Sequence, residues 1–243
     1  MENYLTPPQN KKWYSTQQDA LEHADGDILV KWGNFHFTTF LNQNEFVEYI
    51  EEAPEPQRQF FEVLKEGRPQ RMFADLDGEG LSINRIQLLE QWQMLIQRVF
   101  KDVGMEYNPN YVKLLNSSGG KISFHWSYLG KSFKNSEEQK LFWQYVEHII
   151  EQEYPELCFL RTRSDNKMEL MNVLDISVYS KNRAMRTYHS HKAGSDRVLQ
   201  PVKFKDGTIK TINNFEPLDY FIYDPNEGQE TLTLTIPTFI TPQ

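Results

Sequence analysis

The stretch Arg71-Met-Phe-Ala-Asp75-Leu-Asp77-Gly closes an apolar run with two carboxylates one residue apart. In an extended strand, residues two apart point to the same face, so Asp75 and Asp77 stand side by side. Like charges this close repel and raise a pKa unless a cation lies between them, and a hard divalent ion with oxygen ligands meets that need. The same Asp-x-Asp-Gly also suits a strand that ends in an Asx-type turn. A second set lies in Lys121-Ile-Ser123-Phe-His125-Trp. Strand alternation puts a cation, a hydroxyl and an imidazole on one face, and Ile122, Phe124 and Trp126 on the other. Such a row can hold a phosphate, or it can be the wet side of a half-buried strand. A third set opens with Asp175 at the end of Val173-Leu. From Lys181 to Lys210 there follow eight Lys or Arg (181, 183, 186, 192, 197, 203, 205, 210) against two acids, Asp196 and Asp206. Guanidinium groups grip phosphate oxygens in pairs, and a lysine adds a point charge. In a chain of net charge -8, this reversal of sign suits an anionic ligand, or else a solvated basic loop neutralised by the acidic remainder.

These side chains need strands and helices to aim them. Residues 1–15, with Pro7 and Pro8, read as a loose arm. Asp27 to Phe40 reads as a hairpin turning at Gly33-Asn34. Asn42 or Asn44 caps a helix to Glu52, which Pro54 and Pro56 stop. Phe60–Leu64 is a strand, and Gly67-Arg68-Pro69 turns the chain back into the strand of Asp75 and Asp77, which makes the two strands antiparallel neighbours. Ser82 or Asn84 starts the strongest helical signal, with Ile86, Leu89, Trp92, Leu95, Val99 and Phe100 at three- and four-residue spacings up to Gly104. Strands Tyr111–Leu115 and Ile122–Leu129 flank Asn116-Ser-Ser-Gly-Gly, and Asn135 or Ser136 caps a second long helix that Pro155 ends. Thr231-Leu-Thr-Leu-Thr-Ile reads as a β-rich tail over 216–243. Strands and helices do not alternate strictly, so the expected class is α+β with a mostly antiparallel sheet.

Composition narrows the function. A chain of 243 residues with 39% apolar and 14% aromatic content is globular and large enough to bury a core. No apolar run reaches the ~18 to 20 residues that span a bilayer, and Met1-Glu-Asn-Tyr lacks the basic start of a signal peptide, so an intracellular protein with no membrane partner is expected. The lone Cys158 reads as a small buried apolar residue and excludes zinc sites built on cysteine pairs. No Walker-type glycine loop is present, so the chain carries no helicase motor. His189 and His191 read as solvent-facing, and Trp92, Trp126 and Trp143 as packing.

In order and spacing, the three sets resemble the three motifs of the archaeo-eukaryotic primase superfamily, especially primase-polymerases and the primase domains of large DNA viruses or phage primase-helicases. The acid-x-acid pair matches Asp75 and Asp77, and Ser-x-His preceded by Lys matches Lys121, Ser123 and His125. The third motif matches Asp175, Val178-Tyr179, Asn182-Arg183, Arg186 and Ser190-His191-Lys192. Phe61-Glu62-Val63 resembles the strand before the first motif, and the likeness runs from about residue 28 to 195. It implies an RRM-like antiparallel palm sheet with packed helices, within a catalytic domain over 16–215. That domain would comprise a smaller N-terminal α/β module (16–66) and a palm-containing core (67–215). It also implies DNA primase or primase-polymerase activity with Asp75, Asp77 and Asp175 holding two divalent ions, Mg or Mn, and no zinc. Lys121, Ser123, His125, Arg183, Arg186 and Lys192 would bind the nucleotide. The implied partners are a single-stranded DNA template and primer, an NTP or dNTP, and a helicase domain or subunit. Clustered acids beside basic residues also fit a metal-dependent nuclease, and a catalytically inactive primase-like nucleic-acid-binding module would keep the same fold.

Overall fold

The computed structural model describes residues 6–117, 119–225 and 231–239. Residues 1–5 of the expected arm, Ser118 of the expected glycine-rich link, and residues 226–230 and 240–243 of the expected tail lie outside it. Two antiparallel sheets dominate. The first has the order β2-β1-β3-β9, built from β1 (Ile28–Trp32), β2 (His36–Phe40), β3 (Phe60–Leu64) and β9 (Arg183–Arg186). The second has the order β11-β10-β5-β6-β4, from β4 (Gln70–Asp77), β5 (Val112–Ser117), β6 (Ser123–Phe133), β10 (Leu199–Lys205) and β11 (Thr208–Thr211). A separate ribbon pairs β7 (Cys158–Thr162) with β8 (Met168–Asn172).

Four α-helices complete the α+β architecture: α1 (Gln17–His23), α2 (Gln43–Glu52), α3 (Arg85–Asp102) and α4 (Ser136–Glu153). Of the paired candidates for each cap, the asparagine just before the helix is the one used. The side chains of Asn42 and Asn135 accept from the Glu45 and Glu138 amides, and Asn84 forms a reciprocal capping box with Gln87. Helices α3 and α4 meet the second sheet through a tryptophan cluster. Trp92 lies 5.9 Å from Trp143 and 6.0 Å from Trp126 between ring centroids, and Trp92 and Trp143 are fully buried. The expected packing role of these three is borne out.

Four expectations are corrected. β3 does not pair with β4; it lies between β1 and β9 in the first sheet, while β4 pairs with β6. The turn at Gly67 closes no hairpin, because the chain changes sheets there. Residues on either side of 66 do not form separate modules, since β9 completes the first sheet and one apolar cluster holds Val30, Phe60, Phe73, Phe124 and Trp143 together. The described part of the arm is docked rather than loose. Tyr14 bridges Phe37 through two backbone bonds of 2.7 and 2.8 Å, and Tyr49 donates to the Pro8 carbonyl at 2.9 Å. Finally, no strand forms over 231–239, where the Leu232 amide merely donates to the Ser132 carbonyl at 2.8 Å.

Residues 217–224 belong to the body of the molecule. The buried Glu62 carboxylate on β3 accepts from the Ile222 amide at 2.7 Å and the Tyr223 amide at 3.3 Å. On the other side, Arg71 of β4 donates its guanidinium to the Leu218 and Phe221 carbonyls at 2.6 and 3.0 Å. Burial pushes the Glu62 carboxyl up to about 7, against the pull of the two amides and Arg71. Among the described residues, no helix is long and apolar enough to cross a membrane.

Candidate active site

The β4–β6 register sets Asp75 opposite His125 and Asp77 opposite Ser123, so the first two sets of candidate residues share one patch of one sheet. Gly78 follows at a point where the chain runs against β6. A Cβ there would lie 2.9 Å from the Cβ of Ile122, which only glycine avoids. The third set arrives on the free edge of β4. Leu174 bridges Leu76 in antiparallel fashion, the Asp175 amide donates to the Asp75 carbonyl at 3.0 Å, and the Asp77 amide donates to the Val173 carbonyl at 2.8 Å. Asp175 is thereby brought directly across from Asp75, although 100 residues separate them in the chain.

The charges respond to this crowding. Burial, then Asp175, then Asp77 push the Asp75 carboxyl up to about 6, while Lys192 and Arg183 pull the other way. Asp77 takes a 2.8 Å contact from the Lys121 ammonium, which also reaches Glu79 at 3.1 Å. The bond to Asp77 holds the Lys121 pKa above its usual value. Asp175 caps a short 3-10 turn, with its carboxylate accepting from the Ser177 amide at 3.0 Å and hydroxyl at 2.6 Å. The three carboxylates are therefore neighbours without forming a tight cage. Among the described residues, the one group of three potential ligand residues whose donor atoms lie within 4.8 Å of one another is Asp19, Glu22 and His23, on the surface of α1. The donor set of three aspartates nevertheless fits a hard, oxygen-preferring ion such as Mg or Mn, because accumulated negative charge is what such an ion relieves.

His125 sits 3.6 Å from Asp75 through Nε2, beyond hydrogen-bonding distance. Burial, Arg186 and Lys192 push its pKa down to about 3, so the ring is neutral and the contact is not an ion pair. Lys121 lies just before β6, not in it, and a residue the sequence reading passed over fixes its position. The Arg85 guanidinium donates to the Gly119 and Lys121 carbonyls at 2.6 and 2.7 Å. The sequence signal was a lone basic residue at the start of α3, where the helix dipole disfavours a cation.

Across from the acids stands a rim of cations from β9 and the loop after it. Asn182, in the left-handed region at φ 53°, accepts from the Glu66 amide and turns the chain into β9, where Arg183 pairs with Leu64 and Arg186 with Phe61. Arg186 is only 8% exposed and donates to the Arg197 carbonyl at 3.2 Å. Burial lowers its pKa to about 10, against the pull of Asp75. The Nε atoms of Arg183 and Arg186 are buried with no hydrogen-bond partner. Ser190 is a buried strut bonded to Thr187 and to the Phe60 amide, which leaves the nearby Lys192 exposed. Tyr179 fills the core, donating to the Phe73 carbonyl at 2.6 Å and stacking on Trp143. His189 and His191 are not solvent-facing: both are half-buried, His189 against Tyr188 and Phe215, His191 with Nε2 3.1 Å from the Pro56 carbonyl. Cys158 is half-buried at the start of β7.

No protein-family model matches the chain. In an alignment 207 residues long that covers 77% of the chain, the sequence is 26% identical to "Uncharacterized protein ORF49" of Ostreid herpesvirus 1 (isolate France). The match covers 18% of that relative, so the chain spans less than a fifth of the relative's length.

Proposed function

We propose that the protein is a template-directed nucleotidyltransferase of the archaeo-eukaryotic primase type, which extends or initiates a primer in DNA replication. One observation carries the reading. The aspartate pair of β4 and an aspartate from 100 residues farther along the chain adjoin on one edge of the second sheet, and Arg183, Arg186 and Lys192, close enough to move the charge states of Asp75 and His125, have no ion-pair partner among the described residues. An acid patch beside uncompensated cations suits a polyanion that reaches the acids through metal ions. In this reading β4, β5 and β6, with α3 and α4, form the palm.

In nucleotidyl transfer the primer 3′-oxygen attacks the α-phosphorus in line, the bond to the bridging oxygen breaks, and pyrophosphate leaves. Divalent ions bound by Asp75, Asp77 and Asp175 would lower the pKa of the 3′-hydroxyl and neutralise phosphate charge. The chain's own part is positioning and charge compensation, and no covalent nucleophile is required. Arg183, Arg186 and Lys192 bind the triphosphate. Neutral His125 and Ser123 offer hydrogen bonds from the sheet face, and Lys121 moves between Asp77 and a phosphate oxygen.

The test is a template-directed assay with NTPs and with dNTPs, with and without primer, in Mg and in Mn. Template-complementary extension is the expected result. Shortening of the primer in the absence of nucleotides would replace this reading with a nuclease, and no reaction under any condition would make the fold a non-catalytic module.

A further inference from the structure

The first sheet carries a row of side chains that the catalytic reading does not use. The β1–β2, β1–β3 and β3–β9 registers set Phe37 opposite Lys31, Lys31 opposite Phe61, and Phe61 opposite Arg186. Aromatic and cationic residues thus alternate across four strands and end at the cation rim of the site. The Lys31 ammonium lies 4.9 Å from the centroid of the Phe61 ring. Lys31, Phe37 and Phe61 are all half-buried, Phe37 because one side of its ring packs against the small cluster of Ala20, Leu29 and Val63, and Lys31 forms no ion pair with a described residue. Burial and the positive charge of Arg183 both lower the Lys31 pKa, which marks a site short of negative charge.

We propose that this row is a binding surface for single-stranded nucleic acid, with Lys31 contacting a backbone phosphate and the Phe61 and Phe37 rings flanking the strand. Interleaved cations and π-faces are how proteins hold single strands without reading their sequence. In a chain of net charge -8, cations set in a row across the strands of this sheet draw a polyanion to that row against the acidic remainder. Lys31 is two strands from β9, about 10 Å at ordinary strand spacing. That separation puts it past a triphosphate already met by the β9 arginines and beside a polymer that runs on from the site. The identity of the strand as the template rests on the nucleotidyl-transfer reading, whereas the binding surface itself does not.

The test measures binding of a fluorescein-labelled oligodeoxynucleotide by anisotropy over a range of salt, without nucleotide, alongside steady-state nucleotide KM. Thermal melts establish that each variant folds. With Lys31→Gln, affinity in low salt falls about 5-fold and the slope of log K against log salt flattens by about 0.7, the value for one lost single-strand phosphate contact. Nucleotide KM at saturating template does not change. Phe61→Leu weakens binding about 2-fold and leaves the slope alone, because no charge is lost. Lys101→Gln, at the far end of α3, changes neither. A wild-type protein that does not bind the strand, or an unchanged slope for Lys31→Gln, overturns the proposal. So does a raised nucleotide KM with unchanged strand binding, which would put Lys31 in the triphosphate pocket. Strand binding that depends on Lys31 in a protein that never extends a primer keeps this surface and sinks the catalytic reading, so the two fail separately.

Discussion

The two edges that meet at the candidate site are built on opposite principles. On the β4–β6 side, strand register fixes the side chains and most charges have local company: Asp77 has Lys121, and Asp175 has Ser177. On the β9 side, a left-handed Asn182 and a buried Ser190 strut fix the backbone, and Arg183 and Arg186 hold guanidinium nitrogens with no partner. The acid edge is compensated except at Asp75, where burial and two like charges hold the carboxyl near 6. The contrast teaches where ligand binding has most to gain. A buried donor without a partner carries a desolvation cost that an incoming phosphate removes, so affinity for the anion is concentrated on the β9 edge.

The largest effect expected from breaking this contrast is at Asp75. Asp75→Asn should lower nucleotide incorporation by about 10³-fold, the scale for losing a group that organises charge in the transition state. It should also stabilise the apoprotein. A carboxyl raised from 3.8 to about 6 in the folded state binds its proton more tightly folded than unfolded, so wild-type stability falls as pH rises from about 4 through about 6. Thermal melts should therefore put the variant ahead by ~1–2 kcal/mol at pH 8, a gap that closes as pH drops to about 4. A less stable variant, or one that still extends primers at the wild-type rate, would show that Asp75 is an ordinary strand residue.

On the opposite edge, Arg186→Ala should raise nucleotide KM by about 10-fold or more with a smaller change in kcat, and Arg186→Lys should not restore it, since a lysine cannot replace a two-pronged donor. Unchanged kinetics would place Arg186 among structural residues and leave Lys192 and Arg183 to carry the edge. The smallest effect belongs to Arg85, which touches no ligand and acts by pinning the loop of Lys121. Arg85→Ala should cost about 3-fold in kcat/KM, mostly through KM, with Arg85→Lys restoring part of it. A loss as large as that of Arg186→Ala would mean that the acid edge, too, depends on a single cation.

What could be read from the chain divides along the same line. Asp75, Asp77, Ser123 and His125 were legible because period-two alternation is a local signal, and α3 and α4 because apolar spacing and an asparagine cap agree. Strand partnership was not, since nothing in Phe60–Leu64 states which sheet it joins. β9 was missed because Arg-Ala-Met-Arg shows no alternation and is held by β3 alone. The β10–β11 hairpin did carry a signal that went unused: Asp206-Gly207, both in the left-handed region at φ 50° and 69°, is a tight-turn dipeptide between two strands. The tail misled in the other direction, as alternating Thr and Leu meet the strand pattern but find no partner strand over 231–239.

The stretch 217–224 has a consequence for how the molecule meets its ligand. By tying Glu62 on one sheet and Arg71 on the other to the same short length of backbone, it acts as a rivet through both. A riveted pair of plates does not swing open and shut, so the distance across the site is preset. A ligand that fits that distance spends none of its binding energy on closure, and one too long or too short gains nothing from induced adjustment.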